Sequence, residues 1–158
     1  MKKLFKFWTV HVLVLIVASS VSAQEKVAAV NPLQAYYEVK DALISSNAGV
    51  AGTKATALIN AIKANEKTNA SKVLRDKILF DAEHIAESKD IEHQRDHFTS
   101  LSTDFYALVK AVKLNDKPVY YAYCPMKKSY WLSEGEAIKN PYYGNKMLTC
   151  GKVAEVLK

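Results

Sequence analysis

Apolar residues recur at helical spacing through the first two thirds of the chain. In "NPLQAYYEVKDALISSN" the stripe is Leu33, Tyr36, Val39 and Leu43, with Asn31 placed to cap the helix and Pro32 at its first position. "SSNAGVAG" breaks the pattern with two glycines. Ala51, Ala55, Leu58, Ile59 and Ile62 make the next stripe, which ends near "KANEKTN". Leu74, Ile78, Ala82 and Ile85 make a third, and His97, Leu101, Phe105, Leu108 and Val112 a fourth. Each is one face of an amphipathic helix. Four such helices with short links predict a mainly α fold, an antiparallel bundle of about four helices.

The period changes at "LNDKPVYYAYC". Val119, Tyr121 and Tyr123 alternate with Tyr120, Ala122 and Cys124, the two-residue period of a strand. "NPYYG", Asn140 to Gly144, is a turn signal. Residues 117–151 are expected to form a short C-terminal β-hairpin or irregular segment packed on the bundle, and "KVAEVLK" a brief closing helix. No internal repeat or low-complexity linker divides the chain, so residues 24–158 are expected to be a single helical domain.

The first residues bear on the compartment. "MKKLFKF" is basic, "WTVHVLVLIV" is apolar, and Val21–Ala23 supplies small residues where a signal peptidase cuts. The apolar run is short for a membrane span. Residues 1–23 therefore read as a signal peptide, with an uncleaved anchor as the rival, and the protein as periplasmic or secreted, with no membrane span after cleavage. Of 158 residues, 135 then remain, enough for one core. Without the three leader lysines the net charge falls from +6 to +3, which gives no argument for nucleic acid. Export also means an oxidising compartment, where two cysteines can be joined.

Cys124 and Cys150 are the only cysteines. Bonded to each other they would close a loop of about 26 residues, stabilising the fold by about 3.5 kcal/mol in the loop-entropy picture. The two methionines of the mature chain, Met126 and Met147, each lie within three residues of a cysteine. In an extended segment Cys124 and Met126 point to one side, and Pro125 favours that state for Cys124. One helical turn would align Met147 with Cys150. Thiolate and thioether together select Cu(I) or Ag(I) over harder ions. The alternative is that both methionines fill gaps in the core beside a plain disulfide, in which case no metal cofactor is expected. His93 and His97 share a helix face at i,i+4, a spacing used for metal ligands, with His97 on the core side of that face. His84 follows Glu83 on another face and is expected at the surface. Asp81, Glu83, Glu87 and Asp90 lie among lysines, as on a solvated helix face.

No phosphate-binding glycine loop, G-x-S-x-G elbow or C-x-x-C pair is present, so no enzyme class is indicated. The tyrosines at 120, 121, 123, 142 and 143 fit either a binding surface or a β layer packed on helices.

"YCPM", "YWLSE", "NPYYG" and "MLTCG" follow one another in that order. The set resembles a bacterial secreted family of unknown function, whose members occur alone or fused to the C-terminal end of periplasmic adaptor subunits of heavy-metal efflux pumps. The resemblance is strongest over residues 117–151 and weaker through "DIEHQRDHFTSLS" and the upstream helices. It implies a helical domain with a Cys/Met-rich end that handles copper or related soft metals, with an efflux adaptor or another periplasmic protein as partner. The family's sulfur positions fall on Cys124, Met126, Met147 and Cys150. Two positions depart from its pattern. Lys127 stands where a small residue is common, and Tyr123 where a histidine often precedes the cysteine. The second change removes a nitrogen ligand and leaves His97 as the candidate replacement. Two functions stay open on these residues: a non-catalytic Cu(I)/Ag(I) binder, and a structural or protein-interaction module stapled by Cys124–Cys150.

Overall fold

A computed structural model describes residues 31–114 and 117–158. The expected signal peptide, residues 1–23, and the residues up to 30 lie outside the described residues. Four helices carry the chain as far as Ala111: α1 (Pro32–Ile44), α2 (Ala48–Ala64), α3 (Lys72–Glu87) and α4 (Ile91–Ala111). A 3-10 turn, Glu66–Ser71, joins α2 to α3. Three strands follow: β1 (Val119–Cys124), β2 (Ser129–Ser133) and β3 (Lys152–Leu157).

The stripes read from the sequence are the buried faces. Leu33, Tyr36, Val39 and Leu43 of α1, Ile78, Ala82 and Ile85 of α3, and Leu101, Phe105 and Leu108 of α4 are all buried. Asn31 caps α1 as expected, its Oδ1 accepting from the Leu33 amide at 2.9 Å. Its Nδ2 also donates to the Leu114 carbonyl at 2.6 Å, so one side chain ties the start of α1 to the chain leaving α4.

Two local expectations change. The glycines of "SSNAGVAG" do not interrupt the helix: the break is only Ser45–Asn47, and α2 begins at Ala48 with Asn47 as its cap. Gly52 lies inside α2 because the helices run close there. A Cβ at Gly52 would sit 2.9 Å from the Ala86 carbonyl oxygen of α3. The closing segment is also not a helix. Residues 152–157 form β3, pairing antiparallel with β1 from Val119↔Leu157 to Tyr123↔Lys152. A lone terminal helix would gain little from packing, whereas pairing satisfies the backbone of β1 on its second side.

The sheet order is β2-β1-β3, all antiparallel. The hairpin β1–β2 pairs Cys124 with Ser129 at its turn. The outer edge of β2 is closed by two tyrosine hydroxyls. The Leu132 amide donates to Tyr36 Oη at 3.1 Å, and the Tyr142 hydroxyl donates to the Tyr130 carbonyl. An unpaired strand edge is thus satisfied by side chains from α1 and from the loop after β2. Tyr36 is fully buried, stacked on Phe98 and Phe105 with ring centroids 5.3 and 4.8 Å away. Burial holds its hydroxyl well above the ordinary tyrosine pKa.

Arg95 locks α4 to the rest. It is 3 % exposed. Its Nε donates to the Pro141 carbonyl at 2.9 Å, and Nη2 to the Leu43 carbonyl at 3.2 Å and Ser46 Oγ at 2.9 Å. Gly144, at φ 52°, lets the "NPYYG" turn dock against the end of α1. A Cβ there would lie 2.6 Å from Ser46 Oγ and 2.7 Å from the Ile44 carbonyl. The tyrosines of this region pack rather than form an open surface. Tyr121 lies between Tyr106 of α4 and Tyr130 of β2, with centroids 3.9 and 4.7 Å away, and Tyr142 is buried.

Candidate metal centre

The sulfur residues sit where β1 ends. Cys124 is the last residue of the strand and fully buried, and its Sγ accepts from the Lys127 amide at 3.4 Å across the turn. Asn140 supplies the second donor: its Nδ2 lies 3.2 Å from Cys124 Sγ and 2.7 Å from the Cys150 carbonyl. The other end of that amide is held too, because Asn140 Oδ1 accepts from the Tyr142 amide at 2.8 Å and the Asn140 amide donates to Leu148 O at 2.8 Å. One buried asparagine therefore fastens the two cysteine segments together. The sequence reading took this residue only as part of a turn.

The two cysteines, 26 positions apart, are brought together. Both are free cysteines, close enough that Cys124 contributes to the pKa of Cys150. Partial burial raises the Cys150 pKa, the neighbouring Cys124 raises it further, and the Met126 amide pulls the other way. The thioethers are less closely gathered. Met126 is 62 % exposed on the β1–β2 turn, and Met147 is half-buried. The expected turn between Met147 and Cys150 is present, the Cys150 amide donating to the Met147 carbonyl at 3.0 Å. Lys127 reaches α4 and pairs with Asp96 at 2.6 Å.

A second cluster lies between α3 and α4. The two helices are antiparallel, joined by Ser88–Asp90, with Asp90 capping α4 through the Glu92 amide at 2.9 Å. His84 of α3 meets His93 and His97 of α4: a ring nitrogen from each lies within 4.8 Å of the other two. His84 and His97 stack at 4.3 Å with rings 6° from parallel, and His93 is 4.7 Å from His97. His84 is thus not on a separate face, as the sequence suggested. Asp81 is not on a solvated face either: it is 6 % exposed, and its Oδ1 lies 2.8 Å from His97 Nδ1. The contact orients the His97 ring and leaves Nε2 as its other donor atom. Asp104 stands nearby, its carboxyl pKa raised by burial and by Asp81, and lowered by Lys77.

The sites differ in donor set. The first offers two thiols with methionines on the flanking chain, suited to a soft ion. The second offers three imidazoles, suited to a borderline one.

No curated protein and no solved structure matches the chain. A family model described as a protein of unknown function (DUF3347) matches residues 33–117. That range takes in almost all of the four helices and both acids and histidines of the second cluster, and ends before β1, so it stops short of the sulfur motifs. The match spans more than half of the sequence, and the chain belongs to the DUF3347 family of proteins of unknown function.

Proposed function

We propose that the protein is a non-catalytic soft-metal carrier that takes Cu(I) or Ag(I) between Cys124 and Cys150. The reading rests on one observation, the gathering of two free cysteines from distant parts of the chain around the Asn140 side chain. Two thiolates suit the low coordination numbers that Cu(I) accepts, and soft donors select it over harder ions. The amide of Lys127 and the side chain of Asn140 donate to Cys124 Sγ, hydrogen bonds of the kind that orient a metal-bound sulfur and stabilise its charge. Met126 and Met147 are near in sequence and supply further soft ligands as an ion enters. The exported chain, residues 24–158, would act as one domain in the periplasm, sequestering the ion or passing it to a heavy-metal efflux system through its adaptor.

Titrating the reduced protein with Cu(I) against a competing chelator tests this. One tightly held equivalent is expected, lost in Cys124→Ser and in Cys150→Ser and weakened in Met126→Leu. Binding that survives both serine variants unchanged sinks the site. The same gathering also favours a second reading, a Cys124–Cys150 staple in a structural or interaction module. Mass spectrometry of protein taken from its own compartment separates the two. A mass two units below the fully reduced value marks the bridge, which must be reduced before either sulfur can bind.

A further inference from the structure

We infer that His84, His93 and His97 form a nitrogen site for a divalent first-row cation, independent of the sulfur pair. Three observations carry this. The ring nitrogens come within 4.8 Å of one another although they belong to two helices. A tetrahedral ion with Zn–N distances of about 2.0–2.1 Å needs them roughly 3.3 Å apart. The cluster is therefore open by about 1.5 Å at most, a gap that side-chain rotation closes. His93 is exposed and free to turn, and His84 must swing out of its parallel stack with His97.

The second observation is Asp81. A buried carboxylate 2.8 Å from His97 Nδ1 is the arrangement that fixes a metal-binding imidazole, holding the proton on Nδ1 and the lone pair on Nε2. The third is the setting. Phe80, 58 % exposed, stands edge-on to His84 at 4.5 Å and flanks His97 at 6.1 Å, giving the cluster an apolar wall. Asp104 lines the same surface hollow as Phe80 and Asp81, so a second acidic group stands beside the cluster.

Three protein ligands leave one position of a tetrahedral ion open for water or a ligand brought from outside. Imidazole donors favour Cu(II), Zn(II) and Ni(II), with Cu(II) held most tightly. The site thus suits borderline divalent ions, whereas the two thiols with their methionine neighbours suit Cu(I).

The test uses Cys124→Ser/Cys150→Ser protein, so that sulfur cannot bind, titrated with Zn2+ by calorimetry and with Cu2+ by electron paramagnetic resonance. One equivalent of each is expected, with nitrogen hyperfine structure for Cu2+. His84→Gln and His93→Gln should each weaken Zn2+ binding at least 10-fold, and Asp81→Asn by about 10–100-fold. Circular dichroism checks that each variant is folded, and surface-exposed His93 is the substitution least able to disturb the fold. Absence of binding in the cysteine-free protein overturns the site, as does unchanged affinity in both histidine variants. A triple His→Gln variant titrated with Cu(I) reads the sulfur site separately, so each site can fail without the other.

Discussion

Replacing Arg95 with methionine removes a buried guanidinium that ties α4 to two separate parts of the chain, the end of α1 and the loop at Pro141. The Pro141 and Leu43 carbonyls and Ser46 Oγ each lose a charged donor at 2.9–3.2 Å. Hydrogen bonds to charged groups contribute about 1.5–3 kcal/mol each. The pair with Glu92 adds little, because that carboxylate is 64 % exposed. Against this, the variant no longer has to bury a charge, a relief of several kcal/mol, and the methionine recovers part of the packing. The balance is a loss of roughly 2–4 kcal/mol. At this chain length 1 kcal/mol moves the melting temperature by about 3–5 °C, so a drop of roughly 10 °C is expected. Thermal and urea melts followed at 222 nm measure it, with the urea slope unchanged. Arg95→Lys should recover little, since a single ammonium cannot reach three directions at once. A melting temperature within about 2 °C of the parent would refute the clamp, because it would mean that those acceptors find water at no cost. In the destabilised variant Cys124 should also be alkylated faster, since Pro141 adjoins the asparagine that holds it.

Two more tests follow from the same region. Gly144→Ala places a methyl group at φ 52° against Ser46 and Ile44, and should lower stability by about 2–4 kcal/mol in urea, whereas Gly135→Ala, with nothing within 4 Å, should stay within about 0.5 kcal/mol. The raised Cys150 pKa means less thiolate at neutral pH. Its alkylation by iodoacetamide should reach half its maximal rate above the ordinary thiol range near pH 8.5, and Cys124→Ser, which removes part of the cause, should bring that midpoint down. A midpoint below the ordinary range would show that the two thiols do not interact as described.

The helices were legible because a period near 3.6 marks a buried face whatever it packs against. Asn31 and Pro32 placed the start of α1 for the same local reason. What could not be read was which rims of two helices meet. His84 and Asp81 each lie at the side of an apolar stripe, and their own helix says only that they are not central to it. Their meeting with His93 and His97 depends on the tightness of the α3–α4 link. A hairpin folding about residue 89 sets 84 opposite 93 and 81 opposite 97, and that register was the available signal. β3 was misread because Val153 and Val156 are three apart, and only β1 makes the segment a strand. Gly49 and Gly52 read as a break because helix propensity disfavours glycine. In the fold, close approach to α3 requires a residue without a side chain at 52. Of the sulfur set, the chain pattern indicated the neighbouring of cysteine and methionine. Their number alone raised the pairing of the two cysteines; what the sequence did not show is Asn140, whose side chain fastens their two segments together.

The hydroxyl of Tyr36 closes the sheet edge by joining residues 96 apart in sequence. A bond of that span closes a long loop, so it is expected to form after the helices and the hairpin, and a Tyr36→Phe variant should then unfold faster while folding at the parent rate. Contacts made that late are absent from the folding transition state, so they govern how slowly the native protein opens rather than how fast it forms. The tyrosine lid on β2 is in this sense a kinetic lock, one that lengthens the lifetime of the folded protein without hurrying its assembly.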